Sequence, residues 1–194
     1  MKFLTVFIDF KSAAAYLAMD ATLKLIQAGD VQVIWKPYEV RAQAIADKKQ
    51  IETVTESHLR VRATQRQQTH LKYAAIQGKT IIFQKEPKGS GAALTALAQF
   101  DGDPVEYIRA AFLAYWQDGL DLDDPETVKA ILNQCGVDSN SIAFDQKGKD
   151  LLVAQQIEAE EQGVFDTPMY VVGSERFLGR EQLPWIEALL ENSL

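Results

Sequence analysis

The chain has 194 residues, a length that suits one domain or one domain carrying a large insertion. Apolar residues make up 47% and charged residues 24%, a globular mix that excludes a disordered chain. Twenty-seven acidic against 20 basic residues give a net charge of −7, which argues against an extended phosphate-binding surface and so against nucleic acid as a partner. The single cysteine, Cys135, excludes an intramolecular disulfide, a two-thiol redox pair and a zinc site of several thiolates. No run reaches the ~20 apolar residues of a bilayer span, so no membrane partner is expected. Asp9 and Lys11 break the N-terminal apolar run too early for a signal peptide, and the cytoplasm is the simplest location.

Residues 2–9, rich in Phe, Val and Ile, predict a short buried strand ending at Asp9. Ser12 then stands where a helix cap belongs, before an Ala-, Leu- and Met-rich run that Gly29 can stop. Residues 31–40 predict a second strand, disturbed by Pro37. Strand, helix and strand within 40 residues define a βαβ unit with parallel strands. Residues 41–77 are polar, without proline or glycine, and predict one or two exposed helices. Thr80 to Phe83 is a candidate extended segment. Helical spacing recurs over 91–100, 104–118, 125–134 and 147–162, with Pro104 and Pro125 near helix starts. Thr167-Pro168 then leads into a hairpin, turning at Gly173-Ser174 and ending by Gly179. Residues 180–192 predict a closing amphipathic helix with Leu183, Ile186, Leu189 and Leu190 on one face. The order βαβ, helices, ββα predicts an α/β fold with a four-stranded mixed sheet and helices on both faces.

Three segments carry a resemblance. The first runs from Phe7 through Asp9-Phe10-Lys11-Ser12 to Tyr16-Leu17. The second is Ala111 to Trp116, with Gly119, Asp121 and Pro125. The third is Gly163 to Pro168, followed by Val171-Val172-Gly173, Arg176-Phe177, Gly179 and Leu183. Together they resemble the DsbA-like branch of the thioredoxin fold, and within it the 2-hydroxychromene-2-carboxylate isomerases and kappa-class glutathione transferases. The resemblance implies a discontinuous thioredoxin-like domain at 1–40 and 160–194, with a helical insertion at 41–159. It also implies a cis bond at Pro168, glutathione as thiol cosubstrate, a small aromatic carboxylate as substrate, and a homodimer as the assembly members often form. Three positions depart from the family pattern. Ala13 stands where a proline is usual. Arg180-Glu181-Gln182 replaces a Ser/Asn-Asp-Arg that holds the γ-glutamyl end. No Asn follows Lys36-Pro37.

Ser12 is the expected catalytic residue. In the redox members of the fold its position holds the first cysteine, and here the four residues are Ser-Ala-Ala-Ala, so the chain itself cannot perform thiol–disulfide exchange. The resemblance makes Ser12 a hydrogen-bond donor to glutathione thiolate, which adds reversibly to a conjugated double bond of an aromatic acid. A free thiol of pKa ~8.5 is only about 3% ionised at neutral pH. A helix dipole and one hydroxyl bond supplying about 2–3 kcal/mol lower that pKa by up to ~2 units. From the residues alone, Ser12 reads first as a helix cap, and the resemblance reverses that order.

Thr167 and Pro168 are expected to expose a strand edge to a peptide-like ligand. Lys36, at the carboxyl end of the second strand, can bind a carboxylate or sit on the surface. Arg180 and Glu181 are expected to hold the ends of glutathione or to form a solvated first turn. Arg60, Arg62, Arg66, His70 and Lys72 make a basic stretch that could attract an anionic acid, though a solvated helix face explains it as well. His58 and His70 lack ligand-spaced partners, so no metal is expected. Tyr115-Trp116 and Cys135 read as structural. The alternative function is a divergent DsbA-like protein, either a glutathione transferase or a non-catalytic binding module, without dithiol redox activity.

Overall fold

A computed structural model describes residues 2–28, 31–40 and 52–192. Strand β1 (Lys2–Ile8) is apolar enough to be central in the sheet. It pairs parallel with β2 (Val31–Pro37) on one side, Val6 opposite Trp35, and antiparallel with β3 (Met169–Val172) on the other, Val6 opposite Tyr170. β4 (Glu175–Leu178) pairs antiparallel with β3, giving the order β2-β1-β3-β4. The hairpin turns at Gly173, whose φ of 58° suits glycine.

Helix α1 (Ala13–Ala28) joins β1 to β2 and covers one sheet face. On that face Tyr170 is fully buried and donates its hydroxyl to Thr22 Oγ1 (2.8 Å), which itself donates to Ala18 O (3.0 Å). Phe7 and Met169 point the other way and pack with Tyr38, Ala159 and Val164.

Among the described residues five α-helices stand between β2 and β3: α2 (Val54–Ile76), α3 (Gly91–Ala98), α4 (Val105–Trp116), α5 (Pro125–Gln134) and α6 (Gln146–Glu161). The chain closes with α7 (Leu183–Asn192), which buries Leu183, Ile186 and Leu190. α4 is the apolar centre of the helical part, with Tyr107, Ile108, Phe112 and Trp116 all buried. α2 is its opposite: 23 residues of which Ala74 alone is fully buried. Its start carries a capping box, with Thr53 Oγ1 accepting from Glu56 N (3.2 Å) and Glu56 Oε2 accepting from Thr53 N (2.9 Å).

Two expectations shift. Thr80–Phe83 is not a strand; Ile82 N–H bonds the Trp116 carbonyl, and the segment runs irregularly along the end of α4. Residues 180–182 form a 3₁₀ turn, and the closing helix begins after it. The segment 41–51 and the expected stop at Gly29 lie outside the described residues.

Candidate active site at the start of helix α1

The turn Asp9-Phe10-Lys11-Ser12 delivers the chain from β1 to α1. Ser12 N–H bonds Asp9 O (3.0 Å), and Lys11 N–H bonds Asp9 Oδ1 (3.1 Å). Ser12 caps α1 as its position predicts: its Oγ accepts from Ala15 N (3.2 Å). The same hydroxyl donates to Thr167 O (3.1 Å), spanning 155 residues of sequence. Thr167 precedes Pro168 through a cis peptide bond, as the resemblance implies. Both ends of the chain therefore meet at Ser12.

Around this contact some polar groups are satisfied and others are not. Thr167 N–H bonds Asp166 Oδ1 (2.8 Å). Thr167 Oγ1 is buried and has no partner. The N–H groups of Ala13 and Ala14, in the first turn of α1, have no acceptor among the described residues. Two free donors at a helix start, with an orphan hydroxyl on the residue whose carbonyl Ser12 holds, favour an electron-rich ligand atom such as a thiolate.

Beneath the turn lies Asp9, the end of the predicted strand and a member of the first resembling segment, with no role of its own expected from the sequence. It is fully buried. Its Oδ1 accepts from Ser90 Oγ (2.6 Å), its Oδ2 accepts from Val40 N (2.8 Å), and Lys11 Nζ lies 3.6 Å away. Burial raises its pKa above the ordinary carboxylate value, against the opposing pull of Lys11 and its hydrogen bonds. Lys11, itself only 8% exposed, also reaches Glu39 (2.8 Å). Asp9 thus ties the Ser12 turn to the chain beyond β2 and to the residue before α3. Trp116 adds a second tie from α4, its indole N–H bonding Phe10 O (2.9 Å). Tyr115 is buried and donates to Lys88 O (2.9 Å); burial, with Asp9 and Asp121, pushes its pKa up to about 12. These two aromatic residues are core, as read from sequence.

The remaining expected site residues make no hydrogen bond or ion pair with this contact among the described residues. Lys36 is half-buried on β2, in register with Phe7. Arg180 lays its guanidinium 3.2 Å from the Tyr73 ring centroid and 3.5 Å from Glu181 Oε1. The basic stretch lies on α2, where Arg60 pairs with Glu52 (2.8 Å) and His70 stacks on Phe83. Burial and the neighbouring Arg66 and Arg180 lower the His70 pKa. Among the described residues no group of three or more His, Cys, Asp or Glu could hold a metal ion, and no helix is long and apolar enough to cross a membrane.

The DSBA-like thioredoxin domain family matches residues 3–191, and the chain belongs to that family. Solved relatives share its fold at low identity. A 2-hydroxychromene-2-carboxylate isomerase superposes with a TM-score of 0.75 at 18% identity, covering 97% of this chain and 94% of that one. A cytosolic disulfide reductase of Pseudomonas aeruginosa, solved with GSH, gives 0.64 at 14% identity and covers 97% of each chain. A thiol–disulfide exchange protein of Wolbachia pipientis gives 0.58 at 14%, covering 98% and 80%. At these identities the likeness is one of fold. No curated protein sequence matches the chain.

Proposed function

We propose that this chain is a divergent DsbA-fold protein that receives a small thiol, of the glutathione class, at the start of α1 and does no dithiol exchange of its own. One observation carries the reading. Where redox members of the fold need a thiol, the chain has Ser12, flanked by the free N–H groups of Ala13 and Ala14 and by the partnerless Thr167 Oγ1. A sulfur held there meets positive helix dipole and hydroxyl donors, which favour its ionised form. The reaction such a thiolate would serve is reversible addition to a conjugated aromatic acid, the isomerase chemistry that the first structural relative's name suggests. In that reaction the chain's contribution is to bind and orient. Ser12 turns its proton from the Thr167 carbonyl to the sulfur, Thr167 Oγ1 gains the partner it lacks, and Asp9 holds the turn.

A second reading also has an observation behind it. The Ser12 hydroxyl and the Thr167 N–H and C=O are all satisfied internally, which suits a binding module whose thiol site has closed on itself. Titration of glutathione by calorimetry separates the two. Micromolar-to-millimolar binding that Ser12→Ala or Thr167→Val weakens supports the thiol site. Absence of heat at 10 mM glutathione leaves the module reading standing. Bound glutathione should then accelerate isomerisation of arylidene-pyruvate acids, and that rate should fall steeply in Ser12→Ala.

A further inference from the structure

A large cavity lies away from Ser12, between α1, α4 and the end of α5, with a volume of about 610 Å³. Neither Ser12, Thr167 nor Pro168 lines it. Its size falls in the usual range of small-molecule sites, roughly 300–1,000 Å³. Met19 and Phe112 give it an apolar floor, and Leu113, 43% exposed, stands at its mouth.

The charges around it divide into two kinds. On the α1 side Lys79 pairs with Asp20 (2.9 Å) and lies 5.0 Å from the Tyr16 ring centroid, and Gln117 donates to the Tyr16 hydroxyl (3.1 Å). Those groups satisfy one another. On α4, Glu106 and Arg109 do not. They are three residues apart on one helix face, a spacing that normally lets opposite charges pair. Neither makes an ion pair or hydrogen bond among the described residues, and both line the cavity. One free carboxylate and one free guanidinium therefore stand beside an apolar floor.

We propose that this cavity binds a small zwitterion with a large apolar side chain, an amino acid or dipeptide. Its carboxylate meets Arg109, its ammonium meets Glu106, and its side chain covers Met19 and Leu113. An aromatic anion would leave Glu106 facing it, and a neutral apolar ligand would leave both charges unmatched. The site is independent of the thiol chemistry proposed above.

Cys135, the chain's one thiol, lines the same cavity and reports its occupancy without any substitution. With L-leucyl-L-phenylalanine as probe, alkylation of Cys135 by iodoacetamide slows at least fivefold at saturation. Calorimetry gives a single site that Arg109→Ala and Glu106→Gln each weaken at least tenfold. Both side chains are exposed, so both variants fold, and a melting curve verifies it. The N-acetylated, C-amidated dipeptide, which lacks both charges, binds at least tenfold more weakly. Unchanged alkylation at 10 mM dipeptide or equal binding of the uncharged analogue overturns the assignment.

Discussion

Removing the Ser12 hydroxyl should cost stability before it costs anything else. Ser12→Ala deletes the cap on Ala15 N–H, worth about 1 kcal/mol at a typical helix start. It also strips the donor from the carbonyl of Thr167, a residue only 3% exposed. Leaving a buried acceptor unmet costs about 1–3 kcal/mol. The two effects concern different partners of one atom, so the expected loss is roughly 2–4 kcal/mol. For a chain of this size each kcal/mol moves the midpoint by about 2–4 °C, so the melting temperature should fall by roughly 4–16 °C. Urea unfolding followed by the fluorescence of the three tryptophans measures the loss directly. Ser12→Thr, which keeps a hydroxyl able to cap, should lose clearly less. A loss below about 0.5 kcal/mol in Ser12→Ala would refute this account. It would mean that neither bond contributes to the resting fold.

Other perturbations test other parts of the molecule. Thr167→Val removes a buried hydroxyl that has no partner, so it should leave the free protein equally stable or up to about 1–2 kcal/mol more stable while weakening any thiol ligand. Urea unfolding and titration read the two effects separately. Thr22→Val orphans the buried Tyr170 hydroxyl and should cost about 1–3 kcal/mol, much of which Tyr170→Phe restores in the double variant. Because burial raises the Asp9 pKa above its unfolded value, the folded chain holds that proton more tightly. The Asp9 contribution is therefore most favourable at low pH and declines as pH rises through the folded pKa. The stability difference between the parent and Asp9→Asn should change across that window, and a difference constant from pH 4 to 8 contradicts the assignment. Gly148→Ala drives a Cβ into the Ala143 carbonyl oxygen, a backbone atom that cannot turn aside, and should cost about 1–3 kcal/mol in the same unfolding assay.

What could be read from the sequence follows the range of each interaction. The βαβ start, the hairpin after Thr167-Pro168 and the capping role of Ser12 depend on neighbours within a few residues, and local pattern reveals them. α4 shows itself by an apolar stripe, and its Tyr115-Trp116 pair was correctly read as core. Asp9 was not recognised, because three of its partners, Lys11, Val40 and Ser90, lie up to 81 residues away and nothing in their local sequence points back to it. The available signals are a carboxylate closing an apolar strand three residues before the cap and its place in the first resembling segment. The 610 Å³ cavity was missed for the same reason, being assembled from α1, α4 and the end of α5. Thr80–Phe83 misled in the other direction. Its β-branched and aromatic residues suit a strand, but Ile82 N–H bonds the Trp116 carbonyl and the Phe83 ring meets the Trp116 ring edge-on instead. Arg180 and Glu181 are expected to open the last helix but form the 3₁₀ turn before it, and the arginine faces Tyr73, a partner more than a hundred residues earlier.

Helix α2 is about 34 Å long and buries one side chain fully, so its two ends should keep very different time. Near its C-terminus it is fastened three times. Tyr73 lies under Arg180, Ala74 is buried, and Gln77, just past its end, donates to Leu17 O (3.0 Å). Its first turns have a capping box and the Glu52–Arg60 pair to hold them. Amide hydrogens at residues 70–76 should therefore exchange with solvent through openings that disturb the α1 packing. Those at 57–65 should exchange orders of magnitude sooner through fraying that leaves the rest of the molecule intact. Among the described residues the end of α2 is thus the half tied to α1, and opening there disturbs the helix that Ser12 caps.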